Sequence, residues 1–402
     1  MDSRDALKTE RFIPANLGKN LLLIFLSLIL ALAVVEGALR IYNPLGFRIK
    51  GNKIILPIHK DEVIHYDRSP RLDKIVRIHR NSLGFKGEEP PVDFAERLTI
   101  LAVGGSTTEG VGLNDANTWP LVLEAKLKRN FSKVWLNNAG LSGHSTFGHL
   151  ILMQDYIRQI NPKVVLFLIG LNDLGIEAVN DFDGRMTRGL SYRSLDAFLG
   201  GLAIHSEVAA AVLNLKRYYF PKVVPQVGKE EVNFQNVPRL EVAAEDKAAI
   251  KRIYRDKYLG PYELRLQNLL EMALNQGIVP VLITQPVLYG NLADPRTGVD
   301  LGKMQVTRDM NGGLAWEVLE LYNDITRKVG KDKGAPVIDL AGKMPKNSVY
   351  YFDLTHFTNE GAEKAAGIVY EELRPYLARK FPGYASAAGG NESFNRKPKT
   401  EN

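Results

Sequence analysis

Leu98 to Val103 (LTILAV), Val134 to Asn137 (VWLN), Val164 to Ile169 (VVLFLI), Ile278 to Thr284 (IVPVLIT) and Pro336 to Leu340 (PVIDL) are short segments dominated by β-branched and other aliphatic side chains. A strand with one wet face alternates apolar and polar residues, whereas a strand covered on both faces does not. These runs therefore predict buried parallel strands. Longer helical patterns accompany them at Trp119 to Lys128, Phe147 to Ile160, Tyr262 to Gln276, Leu314 to Val329 and Asn359 to Leu377. Strand and helix alternating over five units predict an α/β chain, a flavodoxin-like three-layer sandwich with a mostly parallel five-stranded sheet. In that architecture residues that carry chemistry gather just beyond the carboxyl ends of the strands.

The composition agrees with a packed core: 45% of the 402 residues are hydrophobic and 24% charged. The formal charge of +7 (52 Lys and Arg against 45 Asp and Glu) is spread along the chain. With no concentrated basic stripe and no aromatic platform, a nucleic-acid partner is not expected. The chain has no Cys, which excludes disulfides, thiol nucleophiles and thiolate-held metal.

Leu21 to Val35 (LLLIFLSLILALAVV) is fifteen residues without a charge. Crossing ~30 Å of hydrocarbon takes about 17–25 residues, so the segment suffices when Glu36 sits at the interface and Leu39 to Tyr42 contribute. The competing reading is a signal peptide cleaved after Ala31-Leu32-Ala33, which has the small-residue spacing a peptidase needs. The long leader of mixed charge favours an anchor. Near the other end, Gly383 to Asn402 has almost no large aliphatics and reads as a disordered tail.

The first strand is followed by Gly104-Gly105-Ser106-Thr107-Thr108-Glu109-Gly110, which places Ser106 at the strand-to-helix switch. A phosphate-cradling loop is the other use of such glycines, but the Lys-Ser/Thr that completes one is missing. Gly170-Leu171-Asn172-Asp173 follows the third strand, and Tyr351-Phe352-Asp353-Leu354-Thr355-His356 precedes the last helix. An Asp and a His three apart on one turn can share a side, so the carboxylate can accept from imidazole Nδ1 and hold the tautomer a general base needs.

Gly-x-Ser-Thr after strand one, Asn138-Ala139-Gly140-Leu141-Ser142-Gly143 after strand two, Gly-x-Asn-Asp after strand three and Asp-x-x-His before the last helix together resemble the SGNH (GDSL-type) hydrolases. The resemblance covers roughly Thr99 to Leu377. Upstream, Asn81-Ser82-Leu83-Gly84-Phe85-Lys86-Gly87 is similar to a segment found before the first block in membrane-anchored bacterial members. Carried over, the resemblance implies Ser106 as nucleophile, His356 as general base and Asp353 as the residue that orients it. It implies an oxyanion hole of the Ser106 and Gly143 amides and the Asn172 side chain, with neither metal nor organic cofactor. The chain departs from the family pattern at Gly105, where the family has Asp.

The implied organisation is a cytoplasmic leader (1–20), a transmembrane signal anchor (21–40), a juxtamembrane and N-terminal extension (41–97) and a hydrolase domain (98–380), then the tail (381–402). The catalytic domain would be extracytoplasmic, in the periplasm or at the cell surface. Residues 174–260 depart from the alternating pattern and follow the oxyanion Asn directly. They are expected to form a helical cap over the crevice, or else a structural helix pair beside the sheet or against the membrane.

Gly143-His144-Ser145-Thr146-Phe147 imitates a G-x-S-x-G nucleophile elbow, but Ser145 lies well beyond the second strand and Phe147 is too large for the fifth position. His144 and His149 invite a metal reading, yet no carboxylate stands at a matching spacing. Asp173 reads as a rim or turn acid. The expected function is a carboxylic ester hydrolase acting through an acyl-enzyme on O-acylated envelope glycans or lipids. The same triad supports an O-acyltransferase that passes the acyl group to a glycan hydroxyl, and a non-catalytic envelope scaffold is the reading from another class.

Overall fold

The computed structural model describes residues 16–41, 49–50, 53–66, 69, 71–177, 202–203, 205–219 and 231–386. The chain divides into two compact units, Met1–Ile55 with Gly189–Phe220 and Leu56–Arg188 with Pro221–Asn402.

In the first unit the apolar run lies within a helix, α1 (Leu17–Ile41), which continues past Val35 through Glu36. Among the described residues one helix, Gly18–Ile41, is long and apolar enough to cross a membrane, with a mean hydropathy of 2.6. A short antiparallel ladder, β1 (Ile49–Lys50) with β2 (Lys53–Ile54), follows it. The helix Glu207–Tyr219 packs against α1. Its start is capped from outside: the Glu36 carboxylate accepts from Ser206 Oγ (2.8 Å) and from the N–H groups of Glu207 (3.0 Å) and Val208 (3.1 Å). A carboxylate placed at a helix start accepts from N–H groups there and is favoured by the helix dipole. Arg40 pairs with Glu36 and donates to the His205 carbonyl (2.7 Å).

The second unit opens with an antiparallel ladder, β3 (Lys60–His65) against β4 (Ile75–Arg80). The main sheet is built from β5 (Leu98–Gly104), β6 (Val134–Asn138), β7 (Val164–Ile169), β8 (Val279–Thr284) and β9 (Val337–Ile338), in the order β6-β5-β7-β8-β9, every pair parallel. All residues of β5, β6 and β7 are buried, as their unbroken apolar pattern predicts. Burying each large aliphatic side chain contributes about 1.5–3 kcal/mol.

The connecting helices are α2 (Ser106–Glu109), α3 (Trp119–Leu127), α4 (Thr146–Leu152), α5 (Gly260–Leu274), α6 (Gly312–Asp332) and α7 (Asn359–Lys380). α3 and α7 pack together, as do α4 with α5 and α5 with α6. With right-handed crossovers these two groups take opposite faces of the sheet, giving the three-layer sandwich. Side chains cap the later helices: Asn311 accepts from the Leu314 N–H (3.0 Å) and Thr358 from the Gly361 N–H (3.1 Å).

The helix expected from Phe147 to Ile160 starts at Thr146 and is widened by a π turn at Met153–Ile157. At the C-terminal side the chain remains packed to Ser386, whose N–H donates to the Asn130 carbonyl (2.9 Å). The rest of the expected tail, 387–402, lies outside the described residues, as do 1–15 of the expected leader and 178–201, 204 and 220–230 of the expected cap.

Candidate active site

β5 ends at Gly104, Gly105 stays extended (φ −85°, ψ −151°), and Ser106 is the first residue of α2. A first helical residue has no intrahelical acceptor for its N–H, so the Ser106 amide is left free to face the crevice. The Ser106 hydroxyl lies 2.7 Å from His356 Nε2. His356 Nδ1 lies 2.7 Å from Asp353 Oδ2. The other oxygen of Asp353 accepts from the backbone N–H groups of Thr355 (2.8 Å) and His356 (2.7 Å). That carboxylate is fully buried and fixed by its own loop, so it can face the imidazole in one orientation only. Phe352 stacks on the imidazole, ring centroids 5.7 Å apart and 19° from parallel. The structure thus brings Ser106, Asp353 and His356 into one hydrogen-bonded line.

The loop that holds Asp353 and His356 is pinned from distant parts of the chain. Arg71 donates to the carbonyls of Tyr351 (2.9 Å) and Ser348 and is paired with Glu231. Val232 N–H donates to the Phe352 carbonyl, and Leu288 N–H to that of Leu354.

Gly143 sits in the left-handed region (φ 78°), which lets the loop after β6 turn at no side-chain cost, and that loop is bonded to the end of β5 by the Leu141 N–H on the Gly104 carbonyl (3.0 Å). Asn172 lies in a 3-10 turn directly after β7 and donates one amide hydrogen to the His144 carbonyl (3.0 Å). An amide nitrogen carries two hydrogens, so a second remains for a ligand. A Cβ placed on residue 105 would overlap the Asn172 amide nitrogen. In this chain the glycine leaves that space to the Asn172 amide.

Asp173, read as a rim or turn acid, lies in that turn but is fully buried, away from the rim. It accepts from Thr146 N–H (3.2 Å) and Thr146 Oγ1 (2.5 Å) and pairs with Arg265, itself fully buried (3.1 Å). This ties the Asn172 turn to the start of α4. His149 is buried in the first turn of α4, and burial lowers its pKa to about 4 against the opposing pull of Asp173 and the Gly104 carbonyl.

Ser145 is the N-cap residue of α4, and its carbonyl accepts from the His149 N–H. The His144 and His149 rings lie 6.3 Å apart, and no group of three or more His, Cys, Asp or Glu among the described residues could hold a metal ion. Three residues passed over in the sequence are built into the site's underside: Arg80, Lys86 and Glu109. Glu109 carried a signal, since it lies three residues after Ser106 and so returns to the same helical face.

The sequence model of the GDSL-like Lipase/Acylhydrolase family matches residues 102–364. Esterase TesA of Pseudomonas aeruginosa is 24% identical over 198 residues, which are 49% of this chain and 87% of that protein. Axe2, an acetylxylan esterase from Geobacillus stearothermophilus, is similar over 68% of this chain and 93% of its own, with 13% identity and a TM-score of 0.39. LAE5, an alpha/beta hydrolase enzyme from the metagenome of Lake Arreo, is similar over 69% and 93%, with 15% identity and a TM-score of 0.36.

Proposed function

The chain belongs to the GDSL-like lipase/acylhydrolase family, and from that premise we propose that it hydrolyses carboxylic esters with Ser106 as nucleophile, His356 as general base and Asp353 as the group that orients it. The observation that carries this is the line Asp353 Oδ2, His356 Nδ1, His356 Nε2, Ser106 Oγ, with 2.7 Å at each hydrogen bond.

His356 Nε2 takes the hydroxyl proton as Ser106 Oγ bonds to the ester carbonyl carbon. The Asp353 carboxylate holds Nδ1 and stabilises the imidazolium that forms. The carbonyl oxygen becomes an anion, and the N–H groups of Ser106 and Gly143 and the Asn172 amide donate to it. Collapse breaks the bond to the leaving alcohol, which departs with the proton from His356. Water then attacks the acyl-enzyme, again losing its proton to His356, and the second collapse returns Ser106 and releases the acid. The acyl groups proposed are those on envelope glycans or lipids, with the catalytic domain extracytoplasmic and α1 retained as its anchor. Support for that location is the length and apolarity of α1 alone.

Reaction with a fluorophosphonate and mapping of the adduct tests the assignment. The expected adduct is on Ser106. An adduct on Ser145, or none on any serine, overturns it.

A further inference from the structure

Glu109 is nearly buried, at 4% exposure, one helical turn beyond Ser106. Its two carboxylate oxygens are divided. Oε1 is paired with the buried Arg80, the last residue of β4. Oε2 accepts from Ser142 N–H (2.8 Å) and from the Ser142 hydroxyl. Ser142 directly precedes Gly143. Other bonds seat the same loop on the nucleophile turn: Asn138 Nδ2 donates to the Thr108 carbonyl (2.7 Å), and Leu141 N–H to that of Gly104 (3.0 Å).

A second buried cation stands beside the first. Lys86 donates to the Glu109 carbonyl (2.9 Å), pairs with Asp115 (3.1 Å), and exchanges backbone hydrogen bonds with Asn138. Arg80 directly precedes Asn81–Gly87 and Lys86 lies within it, where the Asn81 N–H donates to the Phe85 carbonyl and the Gly84 N–H to that of Asn81, turning the chain back on itself. A buried carboxylate and guanidinium are costly to desolvate, and a surface pair would have held the extension with less penalty. What the buried pair supplies is a fixed direction for the second carboxylate oxygen.

We propose that Glu109 is a positioning residue for the oxyanion hole: anchored by Arg80, it holds Ser142 and thereby sets the Gly143 N–H against the reacting carbonyl oxygen. The N-terminal extension is then part of the catalytic apparatus. This rests on Gly143 being an oxyanion donor, as proposed above.

The test uses the full-length chain in detergent, p-nitrophenyl acetate as substrate and an acyl trifluoromethyl ketone as transition-state mimic. Ser142→Ala keeps the backbone bond to Glu109 and loses the hydroxyl bond, which makes it the variant expected to fold normally. Its kcat is expected to fall about tenfold, less than the ~10²–10³ for losing a donor outright, with KM changed by less than about threefold. Affinity for the ketone should fall by the same factor as kcat/KM, and Ser142→Thr, which retains a hydroxyl, should restore both. Glu109→Gln should lower kcat further while the melting temperature of Ser142→Ala stays that of wild type. An active wild type with Ser142→Ala at wild-type kcat and ketone affinity overturns this inference alone. So does a Ser142→Ala loss that follows only the unfolded fraction. A wild type that forms no fluorophosphonate adduct at Ser106 overturns the proposed function and this inference with it.

Discussion

Asn172 and Gly105 meet at one point, and the contact is open to experiment from either side. On the proposed oxyanion role, Asn172→Ala removes a donor that matters most when the carbonyl oxygen is anionic, so kcat should fall by about 10²–10³ with KM within about threefold. Gly105 has a φ any residue can adopt, and the atom its Cβ would strike is the end of the Asn172 side chain. Gly105→Ala should therefore leave the melting temperature nearly unchanged while Asn172 swings aside and kcat drops toward the Asn172→Ala value. The double variant should be no slower than Asn172→Ala, because both changes remove one interaction. Steady-state kinetics on all three variants decides it, and additive losses would mean that residue 105 acts by another route. At this scale the line Ser106, His356 and Asp353 was legible, because each residue lies in a short local pattern beside a strand or helix end. Glu109 was legible only as a residue on the face of Ser106 and Asp173 only as a rim or turn acid, since their partners Arg80 and Arg265 lie 29 and 92 residues away in the chain.

Among the elements, α4 carries one buried group with a measurable consequence, His149, and is bonded at its start, through Thr146, to a second, Asp173. Below about pH 6.5 the unfolded chain protonates His149, whereas the folded chain resists until about pH 4. Stability should therefore fall as pH drops through that window, by about 3 kcal/mol at its acid end. His149→Gln should remove that share of the slope, read as the difference in urea midpoints between pH 7 and pH 4.5. The Asp173 pair behaves differently: Arg265→Met leaves a buried carboxylate without its cation and should cost about 3–5 kcal/mol in the same titration. Where α4 itself runs was readable from its apolar period. Its π turn was not, because one extra residue per turn shifts the period too little to show over so short a segment. The β3 and β4 ladder escaped notice for a plainer reason. Lys60-Asp61-Glu62 opens β3 with three charges, and most of that strand is exposed, so no alternation announces it.

For the molecule as a whole, the five parallel strands followed from the apolar runs, because strands covered on both faces lack alternation; their order came from the structure. The part played by residues 56–97 did not follow, since nothing in their composition records that Arg71 grips carbonyls 277 and 280 positions later. Two truncations separate anchorage from catalysis. A chain beginning near Arg40 should lose the carbonate-resistant membrane pelleting expected of the full chain and stay active. One beginning at Leu98 lacks Arg71, Arg80 and Lys86, and should give little folded protein and no fluorophosphonate adduct. Full activity in the shorter chain would show that the extension is only a spacer.

The hydroxyl of Ser106 and the imidazole of His356 are 250 residues apart in the chain. At about 5–20 residues per second, the ribosome finishes the base roughly ten to fifty seconds after the serine. During that interval the nascent chain carries a serine with no base beside it. On the proposed assignment, newly made protein is inert toward esters until the turn that precedes α7 docks, and a chain interrupted before Asp353 has no esterase activity.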